Sequence, residues 1–134
     1  MTRSKTSFLD AQILLLSFVF WGIALAQNDG IMLAGILDMD NFDWAPNIFK
    51  VTVDLLNDRN NGFFDEEMKE VGPISYKLVN SKCDEFEALS GYLDVQPFDA
   101  IIGARCSSAS KQLAWMGAID DVPQISMSST SARL

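Results

Sequence analysis

The sequence predicts an α/β fold: a parallel sheet wound with helices in the order β-α-β-α-β-α-β. Two observations carry this. From Gly30 onward, short apolar runs of strand length alternate with longer stretches whose apolar residues recur at helical spacing. The connections between the apolar runs are too long for hairpins, and strands joined in that way lie parallel with right-handed crossovers. A length of 134 residues leaves room for at most one ordinary domain, since domains commonly run about 100 to 200 residues.

The first apolar run, "IMLAGIL" from Ile31 to Leu37, is unbroken, as expected of a strand buried on both faces. The following "APNIFKVTVDLLNDRNNG" carries Ile48, Val51 and Leu55 at helical spacing. Asp43 stands where a cap is wanted, Pro46 falls in the first turn, and Asn60-Asn61-Gly62 stop the helix. Gly72-Pro73 then introduce "ISYKLV", Ile74 to Val79, whose alternation reads as a second strand. "DEFEALSGYLDV", Asp84 to Val95, gives a second helix, with acidic residues in its first turn and Phe86, Leu89 and Leu93 on one face. Phe98 to Ile102 is the third strand, Ser107 to Asp120 the third helix, and Gln124 to Met127 a short fourth strand after Pro123. No internal repeat or linker divides the chain.

The N-terminus reads differently. Arg3 and Lys5 precede an apolar run of 14 residues, Ile13 to Ala26, which ends in Ala24-Leu25-Ala26. Basic residues, an apolar core and a small-x-small site make a secretory signal peptide over residues 1–26, with cleavage after Ala26. The run is shorter than the roughly 20 residues that span a bilayer as a helix. Residues 27–134 are then the exported domain, with eight basic against seventeen acidic side chains and a net charge of −9. Nucleic acid is excluded as a partner, because binding it relies on clustered Lys and Arg. After Ala26 no segment is long and apolar enough to span a membrane.

Two cysteines, Cys83 and Cys106, lie in the exported part. Export favours a disulfide, and two separate buried thiols are the alternative. A structural zinc site is excluded, since two thiols are too few ligands and the chain has no histidine. The segment around Asn60-Asn61-Gly62 is no EF-hand either: with Gly62 as the sixth loop position, Arg59 falls on the third, where a ligand oxygen is required.

In open parallel sheets, ligands bind at the carboxyl ends of the strands. Two hydroxyl-rich stretches fall at that edge: "GARCSSAS", Gly103 to Ser110, and "SMSSTSARL" after the fourth strand. The first fails as a catalytic elbow, because a serine or cysteine nucleophile needs a base and histidine is absent. It also fails as a phosphate loop, having only the first of the two glycines. Two readings remain: Ser107 and Ser108 cap the third helix, or they and the helix's free N–H groups hold a carboxylate. Ser128, Ser129 and Thr130 supply opposing donors and favour a pocket.

The last segment, "IIGARCSSASKQLAWMGAIDDVPQISMSSTSARL", closely resembles type I periplasmic-binding-protein-like receptor domains. These are the Venus-flytrap ligand-binding regions of natriuretic peptide, metabotropic glutamate and GABA-B receptors. Upstream, "IMLAGILDMD", "FKVTVDLLNDRNNGFF" and "NSKCDEFEAL" resemble the family's first strand, first helix and second crossover. The resemblance implies a three-layer lobe, a bond between Cys83 and Cys106, and no cofactor, metal or catalytic role. It further implies a small amino-acid-like ligand held by Ser107 or Ser108 and by Ser128, Ser129 and Thr130. A peptide ligand, a homodimer through the first lobe, or a secreted solute-binding protein are the alternatives. Arg105 departs from the small residue, often glycine, that precedes the cysteine in the family. Because that family's domain has two lobes, the chain is expected to be the N-terminal part of lobe I of an extracellular receptor that signals through a membrane.

Overall fold

The computed structural model describes residues 30–130; the segment 1–26 expected to be a signal peptide lies outside the described part. Four strands form one parallel sheet: β1 (Ile31–Leu37), β2 (Ile74–Asn80), β3 (Ala100–Gly103) and β4 (Gln124–Ile125), in the order β2-β1-β3-β4. Three helices connect them in turn: α1 (Ala45–Asn57), α2 (Glu85–Val95) and α3 (Ser107–Asp120). β1 pairs with β2 from Ile31↔Ile74 to Leu37↔Asn80 and with β3 from Leu33↔Ala100 to Ile36↔Gly103. Flanked on both sides, β1 has Ala34 to Leu37 fully enclosed, which explains why its sequence is apolar throughout.

The two faces of the sheet differ. Ile36 and Ile101 point to the face covered by α2 and α3, where Ala88, Tyr92, Ala109 and Leu113 complete a closed core. α2 lies close to β2: a Cβ on Gly91 would stand 2.3 Å from Val79 Cγ1, so only glycine fits there. The other face carries α1, whose Phe49 packs near Gly35 and against Tyr76. Beside α1, Leu33, Ile102 and Met127 line an open apolar groove of about 280 Å³.

Several sequence-based details need correction. α1 is preceded by Trp44, not capped by Asp43: Trp44 has helical backbone angles (φ −77°, ψ −21°), and no side chain caps the helix. A cap needs extended backbone one residue before the first turn, and Asp43 sits too early. α1 ends at Asn57, before the Asn60-Asn61-Gly62 stop, because the Asn57 amide donates to the Ile74 carbonyl and accepts from the Ile74 N–H, both at 2.8 Å. Ile48, Val51 and Leu55 are exposed, whereas Ala45 and Val53 are buried.

In α2 the expected apolar face is also misplaced. Phe86 and Leu93 are 73% and 59% exposed, and the buried residues are Ala88, Gly91, Tyr92 and Val95. β3 begins at Ala100 because Phe98 turns inward, edge-on to Tyr92, and Asp99 pairs with Met32 through both its backbone N–H and its carboxylate. β4 stops at Ile125, since the Ser126 hydroxyl donates to the Ala104 carbonyl at 2.7 Å and turns the chain over the sheet edge.

Candidate functional site

The site is set by the sheet order. From β1 the chain crosses to β2 on one side, and from β3 it crosses to β4 on the other, so the carboxyl ends of β1 and β3 diverge and leave a crevice. β3 reaches this point through Gly103, whose φ of 126° belongs to glycine and whose Cβ would lie 2.0 Å from the Ile36 carbonyl oxygen. Ala104 is buried, Arg105 emerges, and Cys106 occupies the position just before α3.

Cys106 is bonded to Cys83, with their Cα atoms 5.4 Å apart and 23 positions of chain between them. Its sulfur is therefore spent, and α3 has no side-chain cap. The capping role expected of Ser107 and Ser108 is thus overturned: both stand inside the first turn, one and two positions too late to cap. The free N–H groups of that turn remain available to an anion or to water.

The two hydroxyl-rich loops do meet. Ser129 Oγ donates to Ser107 Oγ at 3.2 Å, and the Ser129 N–H donates to Ser126 Oγ at 3.3 Å. Ser126 in turn ties the second loop to the Ala104 carbonyl. Ser107 and Ser129 are half-buried in this contact, whereas Ser108, Ser128 and Thr130 are exposed. Lys111, the lysine nearest Ser107 and Ser108 in sequence, lies over the Trp115 ring at 4.8 Å.

Beside this junction lies a cavity of about 230 Å³. Of the five serine and threonine residues expected at the site, only Ser128 lines it. The other walls are Leu37, Trp44 and Met127, with Asp38, Phe42 and Arg105 at the polar end. Asp38, the residue that follows β1, is 3% exposed, and both its carboxylate oxygens accept from the Asn41 amide at 3.0 Å. Arg105 Nη1 lies 3.8 Å from Asp38 Oδ2, and the guanidinium stacks 4.2 Å above the Phe42 ring.

The loop carrying Asp38 and Phe42 is pinned from β2. Asn80 Oδ1 accepts from the Met39 N–H at 3.0 Å, and the Asn80 amide donates to Asp40 at 2.7 Å. The loop after β2 bears Lys82, whose pKa is raised by its hydrogen bond to the Glu87 carboxylate. Asp38 and the two sulfurs lie within 4.8 Å of one another. A metal is not held there, because a sulfur in a disulfide is no thiolate ligand.

Asp38, Phe42 and Trp44 were not anticipated as site residues. Asp38 left a signal: a carboxylate directly after an unbroken apolar strand falls at the ligand-binding edge. Phe42 and Trp44 left none, since their place depends on how the loop folds back.

Among the described residues, no helix is long and apolar enough to cross a membrane. A search of the curated proteins finds no match. A family model described as the receptor family ligand binding region matches residues 65–134, which include β2 to β4, both cysteines and both hydroxyl-rich loops. The parallel sheet with alternating helices is the architecture of a type I periplasmic-binding-protein-like lobe. By that match over more than half its length, and with the architecture that goes with it, the chain belongs to the receptor ligand-binding-region family.

Proposed function

We propose that this chain is the ligand-recognising part of lobe I of an extracellular receptor. It is exported by the signal peptide of residues 1–26, and it takes a small amino-acid-like ligand at the carboxyl edge of its sheet. The observation that carries the reading is the meeting of the two hydroxyl loops at 3.2 Å, in front of the uncapped first turn of α3. Ser107 and Ser129 fix that junction. Ser108, Ser128 and Thr130, with the α3 N–H groups, are the donors left for a ligand carboxylate. In the full receptor, binding here would feed signalling across the membrane, and the chain performs no catalysis, having no histidine to activate a serine nucleophile.

Calorimetric titration with the common amino acids tests this. Wild-type protein should give binding heat with at least one of them, and Ser108→Ala with Thr130→Ala together should weaken it about tenfold or more, as expected when charge-assisted hydrogen bonds are lost. Unchanged affinity in the double variant sinks the site assignment. A folded protein that gives no heat with any amino acid leaves the peptide-binding or dimerising reading, which the exposed Phe86 and Leu93 on α2 favour.

A further inference from the structure

We propose that Arg105 makes the switch-point cavity an anion-selecting subsite, taking a carboxylate carried on an apolar body of about the size of one aromatic ring. The proposal rests on the reading of this sheet edge as a recognition site and names the chemistry of what enters it.

The guanidinium is held in place without being consumed. Phe42 supports one face at 4.2 Å, a stacking arrangement that fixes its plane. Asp38 sits on its flank at 3.8 Å, within ion-pair range but beyond hydrogen-bond length. Among the described residues, Arg105 donates no hydrogen bond. A guanidinium carries five N–H donors in a planar fork that matches a carboxylate, and this one keeps them free on a side chain that is 45% exposed.

Asp38 does not compete for a ligand's amine. Its side chain is 1% exposed, its two oxygens already accept from Asn41, and the charged group in ion-pair range of it is Arg105. It is a positioning residue. The rest of the cavity is apolar, formed by Leu37, Trp44 and Met127, with the Ser128 hydroxyl at the rim. A ligand therefore meets a cation at one end and a hydrocarbon wall at the other.

The chain as a whole has a net charge of −8, so its overall field repels anions. An anion that enters the cavity does so through the local guanidinium, which makes Arg105 the discriminating residue. No basic side chain other than Arg105 lines the cavity.

The experiment uses the full chain with its disulfide closed and three probes of similar shape: 3-phenylpropionate, 3-phenylpropionamide and 2-phenylethylamine. Each is titrated by calorimetry into wild type, Arg105→Gln, Arg105→Lys and the Ser108→Ala/Thr130→Ala double variant, with circular dichroism confirming that each is folded. Quenching of Trp44 fluorescence in a Trp21→Phe/Trp115→Phe background, where it is the one tryptophan left, reports entry into this cavity in particular. The acid should bind wild type at least about tenfold more tightly than the amide or the amine, from the loss of a charge-assisted pair. Arg105→Gln should remove that preference, and Arg105→Lys should restore part of it. Equal binding of acid and amide, an unaltered preference in Arg105→Gln, or no binding of the acid to folded wild type each overturns the proposal. Loss of amino-acid binding in the double variant with Arg105→Gln unaffected would leave the hydroxyl-loop reading standing without Arg105. The opposite pattern would leave Arg105 standing without the hydroxyl loops.

Discussion

Tyr92 shows how one side chain couples the core to pH. Its side chain is fully buried, with the ring edge-on to Phe98 at 5.0 Å and the hydroxyl donating to Asp120. Burial, reinforced by the Asp120 carboxylate, pushes the Tyr92 phenol up to about 12. The neutral form is the native one, so its stabilisation is whole below pH 10, the phenol's ordinary value, and is lost as pH rises toward 12. Urea denaturation between pH 9 and 12 should show stability falling across that window, with a shallower fall in Tyr92→Phe, which has no proton to lose. Equal slopes in the two proteins would show that the phenol does not drive it. At this scale the sequence was readable where chemistry is local: two cysteines in an exported chain favoured the bond that Cys83 and Cys106 form. It was silent on Phe42, whose meaning comes from Arg105 arriving after a strand more than sixty positions away.

At the scale of elements, hydropathy located the strands and helices but not which helix face is buried. α2 is the clearest case. Its large apolar residues Phe86 and Leu93 lie outside, while Ala88 and Gly91 lie inside with Tyr92 and Val95, and at Gly91 the close approach to Val79 of β2 leaves no room for a side chain. A pattern that weighs residues by hydrophobicity ranks these the wrong way round. The start of the same helix was legible, because capping is a local event: Asp84 has extended backbone, and its carboxylate accepts from the N–H groups of Phe86 at 2.8 Å and Glu87 at 3.0 Å. Asp84→Ala should lower stability by about 1 kcal/mol, read as a lower denaturation midpoint at unchanged slope. Asp43→Ala, at the position where the sequence suggested a cap for α1, should change the midpoint by no more than about 0.5 kcal/mol, as for an ordinary surface substitution. If the two variants lose stability equally, the assignment of the caps is wrong.

At the scale of the molecule, alternation of strands and helices implies parallel strands and right-handed crossovers, but it leaves their order open. Here the order β2-β1-β3-β4 places β1 between the two strands whose following loops carry the cysteines. The Cys83–Cys106 bond thus bridges the carboxyl end of β1, and it fixes the turn in which Arg105 immediately precedes Cys106. Two consequences follow from a bond in that place. Closing a loop of 23 positions removes freedom from the unfolded chain worth about 3 kcal/mol in the chain-entropy model, so Cys83→Ala with Cys106→Ala should lower the unfolding free energy by about that much. The second consequence is local, because Arg105 loses its covalent anchor while Phe42 and Asp38 remain. At a denaturant-free condition where the double variant is still folded by circular dichroism, its preference for 3-phenylpropionate over the amide should shrink. If stability falls by the expected amount while the preference is untouched, the stacking on Phe42 and the charge of Asp38 suffice to hold the guanidinium, and the bond serves the fold alone. If neither quantity changes, the bond is not formed in solution.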